Sequence, residues 1–108
     1  MTLNEYQDGA RSTAIYPESR KIIYPTLGLT GEAGEVSDKV KKVIRDNNDE
    51  FSDEHKRQIA LELGDVLWYV AVLAADLGFT LEDVGRYNRD KLRSRQKRGV
   101  IHGEGDNR

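Results

Sequence analysis

Residues 32–36 read Glu-Ala-Gly-Glu-Val, and residues 62–66 read Glu-Leu-Gly-Asp-Val. Both segments repeat an acid, two other residues, a second acid and a valine. Between them lies the most turn-like stretch of the chain, residues 46–52, because Asn, Asp and Ser favour turns. An antiparallel helical hairpin folded at this turn brings the acids into two facing pairs, Glu32 with Asp65 and Glu35 with Glu62. The sequence therefore predicts two helices that bring four carboxylates to one level.

Apolar residues recur at helical spacing around both acidic segments, which supports two amphipathic helices. The two stripes are Leu29, Ala33, Val36, Val40 and Val43, and Ile59, Leu63, Val66, Val70, Leu73 and Leu77. At about 100° per residue, Glu32 and Glu62 each lie roughly 60° from the centre of their own stripe. Glu35 and Asp65 lie roughly 120° away, on the same flank. The acids of both helices are thus expected at equivalent edges of the core.

Capping and stop signals predict four helices and no strands. The predicted helices run from Thr2 to Thr13, from Pro25 to Arg45, from Ser52 to Gly78 and from Thr80 to Lys97. The segment between the first two helices is expected to be irregular, and the tail after Gly99 to be extended. We therefore expect an all-α fold, with a helical hairpin and flanking helices in residues 1–98 and a glycine-rich tail in residues 99–108.

The composition is that of a single soluble domain. The chain has 108 residues, of which 33% are charged, and a net charge of −2. It contains no cysteine, which excludes disulfides and thiolate metal sites and fits a reducing cytosol. No apolar run approaches the roughly 20 residues of a membrane span, and no basic-then-apolar leader opens the chain. We expect a cytoplasmic protein with no membrane partner.

The two acids of one helix, taken alone, are typical of a solvated helix face. The pair Glu32 and Glu35 together with the pair Glu62 and Asp65 favours a divalent-metal site. Their phases match, their spacing is mirrored about the turn, and each contains a glycine, Gly34 or Gly64. A glycine inside a helix costs about 1 kcal/mol relative to alanine, so both need a reason such as close helix approach or room for a ligand. Crowded carboxylates repel one another unless cations neutralise them. Hard oxygen ligands select Mg²⁺, Mn²⁺ or Ca²⁺ over Zn²⁺.

Several other classes of site lack the residues they need. A di-iron bundle uses Glu-x-x-His pairs, but neither His55 nor His102 follows an acid at that spacing. The chain has no cysteine nucleophile, no Ser/His/Asp arrangement and no glycine-rich phosphate loop. Nucleic-acid binding is disfavoured because the net charge is negative and interleaved aromatic residues are missing. Any phosphate must then be held by metal and by basic side chains.

The predicted fourth helix supplies such basic side chains. Its apolar stripe, begun by Leu81 and Val84, continues with Asn88, Lys91 and Arg95, and cations rarely face a core without a partner. These three residues are candidate phosphate ligands, unless the helix projects into water beyond Asn88. Two further candidates follow the second acid of each pair by four residues. Lys39 is a candidate for phosphate, and Tyr69, with its neighbour Trp68, for the base, although packing is the favoured role for all three residues.

These motifs resemble those of the MazG-like nucleoside triphosphate pyrophosphohydrolases, in the all-α NTP pyrophosphatase superfamily. The resemblance covers roughly residues 20–98 and is carried by residues 31–36, 62–69 and 88–92 and by Arg95. It implies hydrolysis of an NTP or dNTP to the monophosphate and pyrophosphate. It also implies a homodimer or homotetramer whose subunits complete four-helix bundles.

For the site, the resemblance implies two or more Mg²⁺ ions, with Mn²⁺ as a possible substitute, held by Glu32, Glu35, Glu62 and Asp65. Glu35, with Glu32, is the candidate that orients or deprotonates the attacking water. The expected location is a bacterial cytosol or that of a phage-infected host. A dUTPase, a phosphoribosyl-ATP pyrophosphohydrolase and a non-catalytic helical interaction module stay open as alternatives.

Overall fold

The fold is entirely helical, which confirms the all-α prediction. The computed structural model describes all 108 residues and contains four α-helices, one short 3-10 helix and no strand. The helices are α1 (Leu3–Ser12), α2 (Ile23–Asn47), α3 (Asp53–Asp76) and α4 (Leu81–Lys97), and the 3-10 helix covers Glu18–Arg20.

Three of the four helices begin directly after their predicted caps, which are Thr2, Ser52 and Thr80. The Ser52 hydroxyl accepts from the backbone N–H of His55 at 3.1 Å, and His55 Nδ1 accepts from the backbone N–H of Ser52 at 3.2 Å. Thr80 and Asp83 make the same reciprocal pair at 3.0 and 3.2 Å. These caps satisfy backbone donors that would otherwise lack a partner in the first turn.

The second helix begins two residues before the predicted start at Pro25. Ile22, the residue before α2, has a left-handed backbone with φ of 68° and no side-chain cap. Its N–H donates instead to the Asp76 carboxylate, at 2.9 Å, near the end of α3. The start of α2 is therefore fixed by a contact from 54 residues away, which local sequence preferences do not reveal.

The core lies where α1 crosses α3 and α4 begins. It is built from Ala10, Ala71, Val72 and Leu81, with Tyr6, Tyr16 and Trp68 packed against it. Gln7 is buried beside them and links three elements. Its amide nitrogen donates to the carbonyls of Ala71 at 3.0 Å and Phe79 at 3.1 Å, and its amide oxygen accepts from the N–H of Leu81 at 3.0 Å.

The buried core is small for a chain of this length. Only 9 of 108 residues are buried, and the radius of gyration is 16.8 Å, whereas a compact domain of this length has about 13 Å. In the predicted stripes Val43 is buried, but Leu63 and Leu77 are 53% and 51% exposed. From Gly85 onward α4 is exposed except at Arg95, so this helix projects from the bundle.

The tail after Gly99 folds back on itself, so the prediction of an extended tail is wrong. The guanidinium of Arg108 donates to the carbonyls of Val100 at 3.1 Å, Ile101 at 2.9 Å and Gly105 at 2.7 Å. Glycines with positive φ turn the backbone between these carbonyls. The hydrogen bonds of Arg108 therefore close residues 100–108 into a loop.

One helix, α3, is long and apolar enough to cross a membrane, by length and composition alone. Core helices of soluble proteins pass the same test. Here α3 is the central helix and contacts α1, α2 and α4. The absence of a membrane partner stays a prediction.

We expect Gln7→Leu to lower the free energy of unfolding by roughly 2–5 kcal/mol, because it leaves two carbonyls and one N–H in or beside the core without partners. Chemical denaturation measures this loss. The matched control Gln96→Leu changes an exposed residue of α4 and should stay within about 0.5 kcal/mol of the unmodified chain. A loss equal to that of the control would contradict the linking role of Gln7.

Candidate metal centre

The site is built on the antiparallel hairpin of α2 and α3. The chain reverses at Asn48 and Asp49, whose left-handed φ angles are 53° and 63°. Asn and Asp tolerate this conformation better than most residues. The predicted hairpin, folded within residues 46–52, is therefore present, and it brings the two acidic segments side by side.

Three of the four predicted metal ligands converge on one point. Glu32, Glu62 and Asp65 each have a carboxylate oxygen within 4.8 Å of the others. Glu32 and Glu62 are partly buried, and Asp65 is exposed. Glu35 is exposed and lies outside this group, so its role as a ligand stays a prediction. We call Glu32, Glu62 and Asp65 the carboxylate cluster.

The carboxylate cluster is electrostatically unfavourable without a cation. Burial raises the pKa of Glu32, and the charges of Asp65, Glu62 and Glu35 raise it further. The folded chain thus disfavours the ionised form of a residue that is normally ionised at neutral pH. A divalent cation would remove that penalty. The donor set, which consists of carboxylate oxygens only, suits Mg²⁺ or Mn²⁺.

Lys39 is the one predicted phosphate ligand that the structure places beside the carboxylate cluster. Its Nζ lies 4.0 Å from Oε1 of Glu62, and its side chain is partly exposed. A long contact of this kind contributes little to stability. The ammonium group is therefore free to turn toward an anion bound at the cluster.

The candidate phosphate ligands on α4 are not grouped with the carboxylate cluster of the same chain. Asn88 and Lys91 line a recess of about 370 Å³ with Phe79, Val84 and Tyr87.

Arg95 is only 5% exposed and donates to the backbone carbonyl of Asp106 at 2.7 Å, so its guanidinium is held by the tail. The assignment of Asn88, Lys91 and Arg95 to phosphate stays a prediction.

The two candidate base-pocket residues make packing contacts. The Trp68 indole N–H donates to the Thr13 hydroxyl at 2.8 Å, and its ring meets that of Tyr69 edge-on at 4.9 Å. The Tyr69 ring lies directly against the backbone of Gly28. Burial raises the pKa of Tyr69, and neighbouring Tyr24, Glu32 and Asp65 add to the effect. Tyr69 therefore borders the carboxylate cluster, and its base-binding role stays a prediction.

Sequence reasoning missed two residues near the site. Tyr6 of α1 packs against the core, and burial together with the charge of Asp65 raises its pKa. No signal in the sequence predicts how α1 docks. Gly28 contacts Tyr69 one helical turn before Glu32. The rule that paired Glu32 with Asp65 would also have paired Gly28 with Tyr69, because the residue numbers of each pair add to 97.

Comparisons with known proteins identify a family and two relatives. The model of the MazG nucleotide pyrophosphohydrolase domain matches residues 24–100, which contain α3, α4, most of α2 and all four acids. The Gene 37 protein of Mycobacterium phage L5 is 46% identical over 114 residues, covering 100% of both chains. The uncharacterized protein YvdC of Bacillus subtilis (strain 168) is 38% identical over 72 residues, covering 62% of this chain and 68% of its own. No solved structure matches the chain.

We expect Glu32→Gln to raise the melting temperature of the metal-free protein at pH 7. Because the pKa of Glu32 is higher in the folded chain than the ordinary value of 4.5, the unmodified protein loses stability as pH rises from that value through the folded pKa. The advantage of the variant should therefore vanish near pH 4. Thermal unfolding at both pH values measures the difference.

The same variant should gain less melting temperature from millimolar Mn²⁺ than the unmodified chain, because it lacks one ligand. Glu104→Gln, in the exposed tail, is the matched control and should respond to Mn²⁺ as the unmodified chain does. Equal Mn²⁺ responses of Glu32→Gln and the control would contradict a ligand role for Glu32.

Proposed function

We propose, from the premise that the chain belongs to the MazG nucleotide pyrophosphohydrolase family, that it hydrolyses a nucleoside or deoxynucleoside triphosphate at the α-phosphate. The products are the nucleoside monophosphate and pyrophosphate. The observation that carries the proposal is the convergence of Glu32, Glu62 and Asp65 within the matched range. Such an activity would control or clean the nucleotide pool.

The carboxylate cluster, with Glu35 as a fourth ligand, holds two or more Mg²⁺ ions in this proposal, and Mn²⁺ can substitute. Bound Mg²⁺ lowers the pKa of the attacking water and neutralises charge on the leaving pyrophosphate. Glu32, Glu62 and Asp65 supply ligand oxygens from facing helices, so the hairpin sets their spacing. Glu35 is exposed one turn along α2 from Glu32, where it can reach both a cation and solvent.

Glu35 is the proposed proton acceptor, and Glu32 orients the same water. The water oxygen bonds to the α-phosphorus, and the bond from that phosphorus to the oxygen bridging to the β-phosphorus breaks. The proton passes to Glu35 and then to solvent. Because Glu35 stays outside the carboxylate cluster, it is free to exchange that proton.

Basic residues hold the outer phosphates in this proposal. Lys39 already lies beside Glu62, and Asn88, Lys91 and Arg95 form a polar and cationic series along α4. Since α4 projects away from its own bundle, a second copy of the chain can bring Asn88 and Lys91 to the carboxylate cluster, and Arg95 joins them when its contact with the tail opens.

A homodimer or homotetramer is the proposed assembly. Leu27, Leu63 and Leu67 on α2 and α3 are all more than one-third exposed. Large apolar side chains clustered on the surface of a chain with a small core mark an interaction site. Another copy of the hairpin would complete a four-helix bundle over them.

The proposed substrate is a small molecule, with no nucleic acid or membrane partner. The proposed location is a bacterial cytosol or the cytosol of a phage-infected host, and the phage origin of the Gene 37 protein supports it. The alternatives are a dUTPase, a phosphoribosyl-ATP pyrophosphohydrolase and a non-catalytic helical module. The first two share the metal chemistry and differ in the nucleotide accepted.

We expect a screen of canonical and modified nucleotides with Mg²⁺ or Mn²⁺ to yield pyrophosphate and a monophosphate rather than orthophosphate and a diphosphate. Glu35→Ala and Asp65→Ala should each lower kcat/KM by about 10²- to 10⁴-fold, while helical circular dichroism is retained. Glu104→Ala is the control. The substrate accepted separates the enzymatic alternatives, and a chain that releases no pyrophosphate from any nucleotide overturns the proposed activity.

Light scattering with size-exclusion chromatography should give a multiple of the 12.3 kDa chain mass. Leu63→Glu should shift this mass toward the monomer, because it places a charge among exposed apolar side chains. Ile15→Glu, at a 94% exposed position outside α2 and α3, should leave the mass unchanged. An unmodified chain that elutes as a monomer would contradict the proposed assembly.

A further inference from the structure

Gly28 provides a notch for the Tyr69 ring. A Cβ added at Gly28 would stand 2.1 Å from Cε1 of Tyr69 and 2.3 Å from Cζ. Real Cβ atoms do not approach other atoms so closely, so no other residue fits at this position without moving the ring. The remaining helical glycines differ: a Cβ would meet an atom at 3.6 Å at Gly85, and nothing within 4 Å at Gly9, Gly31, Gly34 and Gly64.

The notch and the carboxylate cluster share one antiparallel register. In such a hairpin, facing residues have numbers with a constant sum. Gly28 with Tyr69 and Glu32 with Asp65 both add to 97. The two layers are one helical turn apart, or about 6 Å. A slide of α2 by one residue would move Glu32 about 1.5 Å along the hairpin and turn it by about 100°.

The ring of Tyr69 is supported on its other sides. The Trp68 ring packs edge-on at 4.9 Å, and the Tyr24 ring lies 6.5 Å away between centroids. Tyr24 stacks in turn on Tyr16 at 4.9 Å, and the Tyr16 hydroxyl donates to Asp76 at 2.7 Å. The Trp68 and Tyr24 rings therefore restrict the directions in which an added methyl group could push the partly buried Tyr69 ring.

We propose that the contact of Gly28 with Tyr69 sets the register of α2 against α3 and so positions Glu32 against Glu62 and Asp65. We call it the register contact. Toward the metal both are positioning residues, since neither is assigned a contact with it, and the predicted contact of Tyr69 with the base does not enter a test made without nucleotide. The inference rests on the proposed metal site and extends it. Mg²⁺ requires near-ideal octahedral geometry at 2.0–2.1 Å, so even a small displacement of Glu32 should weaken binding.

The register contact also explains why position 28 is glycine rather than a residue with a Cβ. A glycine inside a helix costs about 1 kcal/mol relative to alanine, and Gly28 lies in the first third of α2. A purely structural role would make Gly28→Ala change the melting temperature without changing metal affinity. Affinity for the metal alone, without nucleotide, therefore separates positioning from packing.

The test measures the Kd of the full chain for Mn²⁺ by the electron paramagnetic resonance of free Mn²⁺. Gly28→Ala should weaken binding by about 10- to 100-fold, as substitutions that displace metal ligands indirectly do, while helical circular dichroism is retained. Tyr69→Phe keeps the ring in the notch and should bind as the unmodified chain does. Gly9→Ala, the same change inside α1 with nothing within 4 Å, is the matched control and should leave the Kd unchanged.

The double variant Gly28→Ala/Tyr69→Ala completes the test. Without the ring, the added methyl group loses its three nearest neighbours, which are all atoms of Tyr69, so this variant should bind Mn²⁺ as Tyr69→Ala alone does. If Gly28→Ala loses its helical signal, Tyr69→Ala decides: a tenfold weaker Kd supports the register contact, and an unchanged Kd overturns it.

The outcomes separate the two proposals. An unmodified chain that binds no Mn²⁺ overturns the proposed metal site and this inference with it. An unmodified chain that binds Mn²⁺, together with a folded Gly28→Ala that binds it equally well, overturns only the register contact.

Discussion

Repulsion among Glu32, Glu62 and Asp65 is the constraint on which the rest of the structure depends. Their oxygens lie within 4.8 Å of one another, and like charges together with burial raise the pKa of Glu32. Left alone, this repulsion favours sliding or separation of α2 and α3. The hairpin must therefore be held in register by contacts away from the acids, and the proposed cation would turn the same repulsion into attraction.

Those contacts lie at the end of the hairpin far from its turn. Asp76 holds the N–H of Ile22 and the hydroxyl of Tyr16, which ties the start of α2 to the end of α3. Gln7 joins α1 to the end of α3 and the start of α4. The carboxylate cluster lies between these ties and the turn at Asn48, so the chain anchors the hairpin on both sides of the acids.

Local signals in the sequence were sufficient to predict the helices and the hairpin that brings Glu32, Glu62 and Asp65 together, whereas Glu35 lies outside this group. Caps such as Ser52 and Thr80 act over three residues, and helical periodicity acts over one or two turns. The features that sequence reasoning missed depend on side-chain contacts with backbone groups outside the regular helices. Ile22 starts α2 early because of Asp76, 54 residues away, and the tail folds back because of Arg108. The projection of α4 was one of the two alternatives that its stripe left open.

The cost of glycine inside a helix predicts that such a glycine has a structural purpose, but it does not predict what that purpose is. Gly34 and Gly64 lie inside helices, where glycine lowers stability, so their presence needs an explanation. Close approach of the two helices was one explanation considered. Within the chain that reason applies to Gly28 instead, because a Cβ at Gly34 or Gly64 meets nothing within 4 Å. The hairpin is thus tightly packed one turn before the carboxylate cluster and open at the level of the acids. This arrangement suits a site that must hold its ligands at fixed spacing and still admit a triphosphate.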